Sequence, residues 1–215
     1  MEETTQRKNY NNKQCFVGVS LSSNASTESG IAVIDRNLNL IRIDKVYNIS
    51  DLQIYLTNLA PFDSMAICVD LPRNANLISG KWRLEAKPTQ IFKINNRYNS
   101  KHDWIDRFSD RGSDLCESLI KSGLEIYRYN CYYTKNLLKL VPPYKSRTPA
   151  ACKYLQLIIQ NNLKIRNIPN NLIALSGLDA IIGAYNVWKI NTCQRNAGCK
   201  YIGEFNNIPV ITAFE

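Results

Sequence analysis

The chain has 215 residues, 45% hydrophobic and 21% charged, and a net charge of +9. That length and balance predict one globular domain with a substantial core and exclude a disordered or fibrous chain. No run approaches the ~20 apolar residues of a membrane span, and the polar start from Met1 to Gln14 lacks the apolar core of a secretory leader.

Residues 1–14 read as a flexible polar tail. A first strand is predicted from Cys15 to Leu21, then turn material from Ser22 to Gly30. Ile31 to Asp35 reads as a second strand. The alternation in Leu40 to Val46 suits a half-exposed third, and the short loops predict an antiparallel meander. Ser50 and Asp51 open a helix with Leu52, Tyr55, Leu56 and Leu59 on one face, ended by Pro61. Met65 to Asp70 is a wholly apolar run that stops on a carboxylate before Leu71-Pro72, as expected of a buried strand parallel to the first.

Residues 73–111 have no clear period and are rich in Asn, Lys, Arg and Tyr, so they read as a basic insertion. A helix from Asp110 to Ser122 with Gly123 as its C-terminal stop leads to a fifth strand, Leu124 to Tyr129. The loop Val141 to Arg147 precedes a helix opened by Thr148 and Pro149 and running to Gln160. A longer helix is predicted from Asn171 to Lys189, and Tyr201–Glu204 with Ile208–Ile211 as a small terminal hairpin.

The charge is uneven. Residues 1–72 hold six Lys/Arg against eight Asp/Glu, residues 73–111 nine against four, and residues 112–215 twelve against six. The basic excess thus begins after Asp70, which suits a polyanion such as nucleic acid near the strand ends. Within the insertion, Lys81, Trp82, Arg83, Arg97, Tyr98 and Trp104 interleave cations with rings in the manner of a strand-binding surface. Seven cysteines without a CxxC pair predict reduced thiols and a cytoplasmic setting. The one histidine, His102, has no cysteine pair at zinc-ligand spacing.

No P-loop, dinucleotide glycine fingerprint, zinc-protease helix or serine-hydrolase elbow is present. Enzymatic chemistry would therefore rest on carboxylates. Ligand and catalytic groups collect at the carboxyl ends of strands in α/β sheets, where Asp70 stands and Ser20 ends the first strand. Asp179 adds a charge to the apolar face Leu178-Asp179-Ala180 of the late helix, and Lys145 and Arg147 are cations suited to phosphate.

The set Gly18-Val19-Ser20, Gly30 to Asp35, Ile67 to Pro72, Glu125-Ile126-Tyr127 and Leu178-Asp179-Ala180, in that order, resembles the domain-of-unknown-function 429 family of predicted nucleases. The resemblance spans residues 15–190. It implies an RNase H-like fold: a central mixed five-stranded sheet, its first three strands antiparallel, flanked by helices in one domain over residues 15–215. It further implies a nuclease-type protein acting on phosphodiesters with Mg²⁺ or Mn²⁺. There Asp70 and Asp179 hold the metal, Glu125 assists as a third ligand or through water, Lys145 or Arg147 positions phosphate, and Ser20 meets the substrate. Ser20 and Ser176 stand where the family carries acids, and Arg128 where it carries proline after the tyrosine. The missing charge sets a second expectation beside the first, a degenerate module that binds nucleic acid or a partner without cutting. A phosphotransferase of the actin-like class shares the sheet topology but needs a second domain and glycine-rich phosphate loops, which this chain lacks.

Overall fold

The structure is a computed structural model. It describes residues 13–22, 27–59, 61, 64–71, 112–145, 147–192 and 198–214. Residues 1–12 of the predicted tail and all of the predicted basic insertion at 73–111, including His102, lie outside these residues.

Seven strands form one sheet in the order β3-β2-β1-β4-β5-β7-β6. β1 (Cys15–Ser20), β2 (Ser29–Asp35) and β3 (Leu40–Val46) are the antiparallel meander, with Ser20 opposite Gly30. β4 (Met65–Asp70) lies parallel to β1, and β5 (Glu125–Tyr129) parallel to β4, with Asp70 beside Tyr129. The fold is α/β, and its first five strands have the order and directions expected of an RNase H-like sheet. The expected count of five is exceeded because the terminal hairpin, β6 (Cys199–Phe205) and β7 (Ile208–Ala213), joins the sheet through β7 beside β5. Its two-residue turn, Asn206-Asn207, has positive φ at both positions (50° and 60°), a geometry that asparagine tolerates and that matches the twist of the strands.

The apolar runs of β1, β2 and β4 are continuous because both faces of the sheet are covered. One face buries Phe16, Ala32, Ala66 and Tyr129 under α3 (Cys131–Leu137), α4 (Pro149–Asn162) and α5 (Leu175–Thr192). The other buries Val17, Val19 and Ile67 against Leu52 and Leu56 of α1 (Ile49–Thr57) and Leu115 of α2 (residues 112–121). Among the described residues no helix is long and apolar enough to cross a membrane.

Two glycines let α5 lie directly on the sheet. A Cβ on Gly18 would fall 1.8 Å from the Ala180 carbonyl oxygen, and one on Gly30 2.2 Å from that of Ser176. This close approach brings Ser176 and Asp179 to the ends of β1 and β2.

α5 starts at Leu175 rather than Asn171. Gln156 of α4 donates through Nε2 to the carbonyls of Pro169 and Asn171 and accepts from the Ile173 N–H, which commits that stretch to a non-helical path. α4 itself begins as predicted, with Thr148 Oγ1 accepting from the Ala151 N–H at 3.2 Å and Pro149 in the first turn. The sequence pattern gave no warning of α3. β5 runs two residues beyond Tyr127, and Asn130 turns the chain into that helix by accepting the Tyr133 N–H at 2.9 Å.

Candidate functional site

β1 and β4 end side by side, so Ser20 and Asp70 meet at the carboxyl edge of the sheet. Ser20 Oγ donates to Asp70 Oδ2 at 3.0 Å, and the Leu21 N–H donates to Oδ1 at 2.8 Å. Asp70 is only 7% exposed. Burial pushes its carboxyl up to about 7, against the opposing pull of the Leu21 and Ser20 hydrogen bonds, and the nearby Asp179 charge adds to the rise.

Asp70 opens into a cleft of about 1170 Å³ that also takes in Ser20, Glu28, Lys135, Ser176 and Asp179. Lys135 Nζ sits 2.8 Å from Asp179 Oδ1, with the two side chains 15% and 16% exposed. The Tyr129 hydroxyl donates to the Asp179 backbone carbonyl at 2.6 Å and ties α5 to β5. Glu28 accepts from Ser176 Oγ at 3.0 Å through Oε1 and pairs with Lys45 Nζ at 3.1 Å through Oε2. Both serines that stand where acids were expected thus donate to a remaining carboxylate.

The expected site is brought together only in part. Ser20, Asp70 and Asp179 line one cleft. Arg147 borders it, and Lys145 is exposed on the same loop. Glu125 does not belong there, which corrects its expected role as a ligand. It stands beside Ala66 at the start of β5, four residues before the level of Asp70, or ~13 Å at ~3.3 Å per residue. Its carboxylate is held at that far end by Lys13 at 3.2 Å and by the Tyr127 hydroxyl at 2.7 Å. Asn130 occupies the corner after the strand.

Three functional neighbours escaped the sequence reading. Glu28 had a usable signal, because once Ser20 faces Gly30 the chain just before β2 must lie at the mouth of the cleft. Lys135 had none, since it rides on the unforeseen α3. Arg128 read as a strand residue, yet it is fully buried. Its Nη2 donates to the Asp70 backbone carbonyl at 2.9 Å and its guanidinium stacks 5.3 Å from the Phe205 ring centroid. Its Nε and Nη1 have no partner among the described residues.

The residues present do not fit the divalent ion that the family resemblance implies. A hard cation needs several oxygens with negative charge to spare. Both oxygens of Asp70 and both of Glu28 accept bonds inside the protein, and Asp179 is paired with an ammonium. Two positive charges at ~4 Å, one of them doubled, repel by ~8 kcal/mol at an effective dielectric of ~20. That opposes any divalent ion seated beside Lys135. Among the described residues no three His, Cys, Asp or Glu side chains come together as a metal-holding group.

No family model matches this chain, and no curated protein matches it. Among solved structures the chain is similar to Thermus thermophilus RuvC in complex with a Holliday junction substrate. The two share 12% identity at a TM-score of 0.47 over 82% of this chain and 94% of that one. A second Thermus thermophilus RuvC structure gives 13% identity and a TM-score of 0.44 over 82% and 95%.

Proposed function

We propose that this protein is an RNase H-like module whose cleft binds a nucleic-acid strand without hydrolysing it. The observation that carries the proposal is that, among the described residues, each carboxylate lining the cleft has an internal donor or counter-ion: Ser20 and Leu21 for Asp70, Lys135 for Asp179, Ser176 and Lys45 for Glu28. A cleft so compensated does not repel phosphates as an open acidic site would, and it lacks the free negative charge that collects the ions of a two-metal nuclease.

The rim supplies what a strand needs. Tyr47 and Tyr144 line the cleft with about half of each residue exposed, at 48% and 51%. Tyr154 meets the Tyr144 ring edge-on at 5.9 Å between centroids and fixes its plane. Each base stacked on such a ring contributes ~1–3 kcal/mol, and Arg147 and Lys145 can neutralise adjacent phosphates.

Fluorescence anisotropy with a labelled single-stranded oligonucleotide tests the proposal. Binding should weaken with salt, and Arg147→Ala should reduce the slope of log K against log salt by ~0.7, one phosphate contact on a single strand. Tyr144→Ala should cost ~1–3 kcal/mol of affinity. Affinity that ignores both substitutions would contradict binding at this cleft.

A further inference from the structure

We propose that the Lys135 ammonium is a resident cation that keeps the Asp70–Asp179 end of the cleft closed to divalent ions, and that removing it uncovers a Mg²⁺ or Mn²⁺ site. The idea rests on the cleft assigned above and extends it to the question of what replaced a metal.

Lys135 is held in place by its helix. Thr134, the residue before it, is fully buried, and its hydroxyl lies 3.1 Å from that of Thr212 on β7 and within 3.4 Å of Asn186 Nδ2 on α5. Asn130 caps the other end of α3. The lysine is therefore delivered to Asp179 by a short helix locked to α5 and β7, rather than reaching it by chance from solvent. Its ammonium takes a carboxylate oxygen that would otherwise face the cleft lined by Asp70. With the ammonium gone, an uncompensated Asp179 carboxylate would face the cleft that Asp70 and Ser20 also line. Such an all-oxygen set suits hard cations, with water completing the shell.

The test uses Mn²⁺ alone, read by thermal melting and by loss of the free-ion electron paramagnetic resonance signal. The proteins are wild type, Lys135→Met, Lys135→Ala, Asp179→Asn, and Lys135→Met combined with Asp179→Asn. Methionine keeps an unbranched apolar stem without the charge. Wild type should show no saturable response. Lys135→Met should take up one ion and rise by roughly 5–11 °C when Mn²⁺ reaches about a hundredfold excess over Kd. The double variant should lose both effects. Saturable uptake by wild type that Asp179→Asn abolishes would overturn the proposal, as would a folded Lys135 variant that takes up no Mn²⁺. Should both single variants be unfolded, millimolar Mn²⁺ must restore their native circular dichroism, and failure to do so would equally overturn it. Nucleic acid is absent from these readouts, so a negative result here leaves strand binding standing, and loss of strand binding leaves this result standing.

Discussion

Replacing Asp70 by asparagine should stabilise the protein at neutral and alkaline pH and leave it unchanged in acid. Raising a carboxyl from 3.8 to about 7 on folding corresponds to ~4 kcal/mol of penalty for the ionised form. The folded state holds its proton between pH ~4 and ~7 while the unfolded chain has released it, so stability falls as pH rises through that window and is level above it. Asparagine has no charge to desolvate. Its carbonyl can keep the Leu21 N–H, and its amide can donate to Ser20 Oγ once that hydroxyl rotates. If half of the ~4 kcal/mol is realised, Asp70→Asn melts roughly 4–8 °C above wild type at pH 8. The gap should close by pH 4. Thermal melts followed by circular dichroism across pH 4 to 8.5 measure this directly. A variant that melts below wild type at pH 8, with the difference shrinking in acid, would refute the reasoning. It would mean that the fold favours the charged carboxylate.

Three further outcomes follow from the packing. Gly18→Ala should destabilise by at least ~1–3 kcal/mol in urea titrations, because its methyl would overlap the Ala180 carbonyl and force α5 off β1. Gln156→Ala should cost ~1–3 kcal/mol, since it strands the Ile173 N–H and two carbonyls, and hydrogen exchange should rise first in residues 169–173. Glu125→Gln should leave oligonucleotide affinity unchanged and cost no more than ~1 kcal/mol of stability, because its ion pair with Lys13 is partly exposed and lies at the opposite end of the sheet.

How much of this was legible in the chain depended on whether the determining interactions are local. Cys15–Ser20 and Met65–Asp70 are apolar up to their last residue because both faces of the sheet are covered, so their endpoints were readable and placed Ser20 and Asp70 at one edge. Asp179 was readable as a charge on an otherwise apolar helix. What the pattern could not supply was parallel register. Glu125 looks like a strand acid, but only its pairing with Ala66 shows that it starts its strand at the end away from the site. Nor could it supply α3. Cys131 to Leu137 has no helical apolar period, and a seven-residue helix rests on its Asn130 cap and on Thr134 packing rather than on propensity. Lys135, which decides the charge of the cleft, was hidden with it. Arg128 was missed because strand patterning assigns a charged residue to solvent, whereas here the Asp70 carbonyl and the Phe205 ring hold it inside.

The central claim is that the cleft holds a strand without cutting it. The most direct test is a denaturing gel of an end-labelled single strand incubated with wild type in Mg²⁺, in Mn²⁺ and in a chelator, beside Asp179→Asn. Intact strand in every lane, with equal retention by wild type in metal and in chelator, is the predicted result. Metal-dependent cleavage that disappears in Asp179→Asn would contradict it and restore the acidic cleft as a nuclease centre.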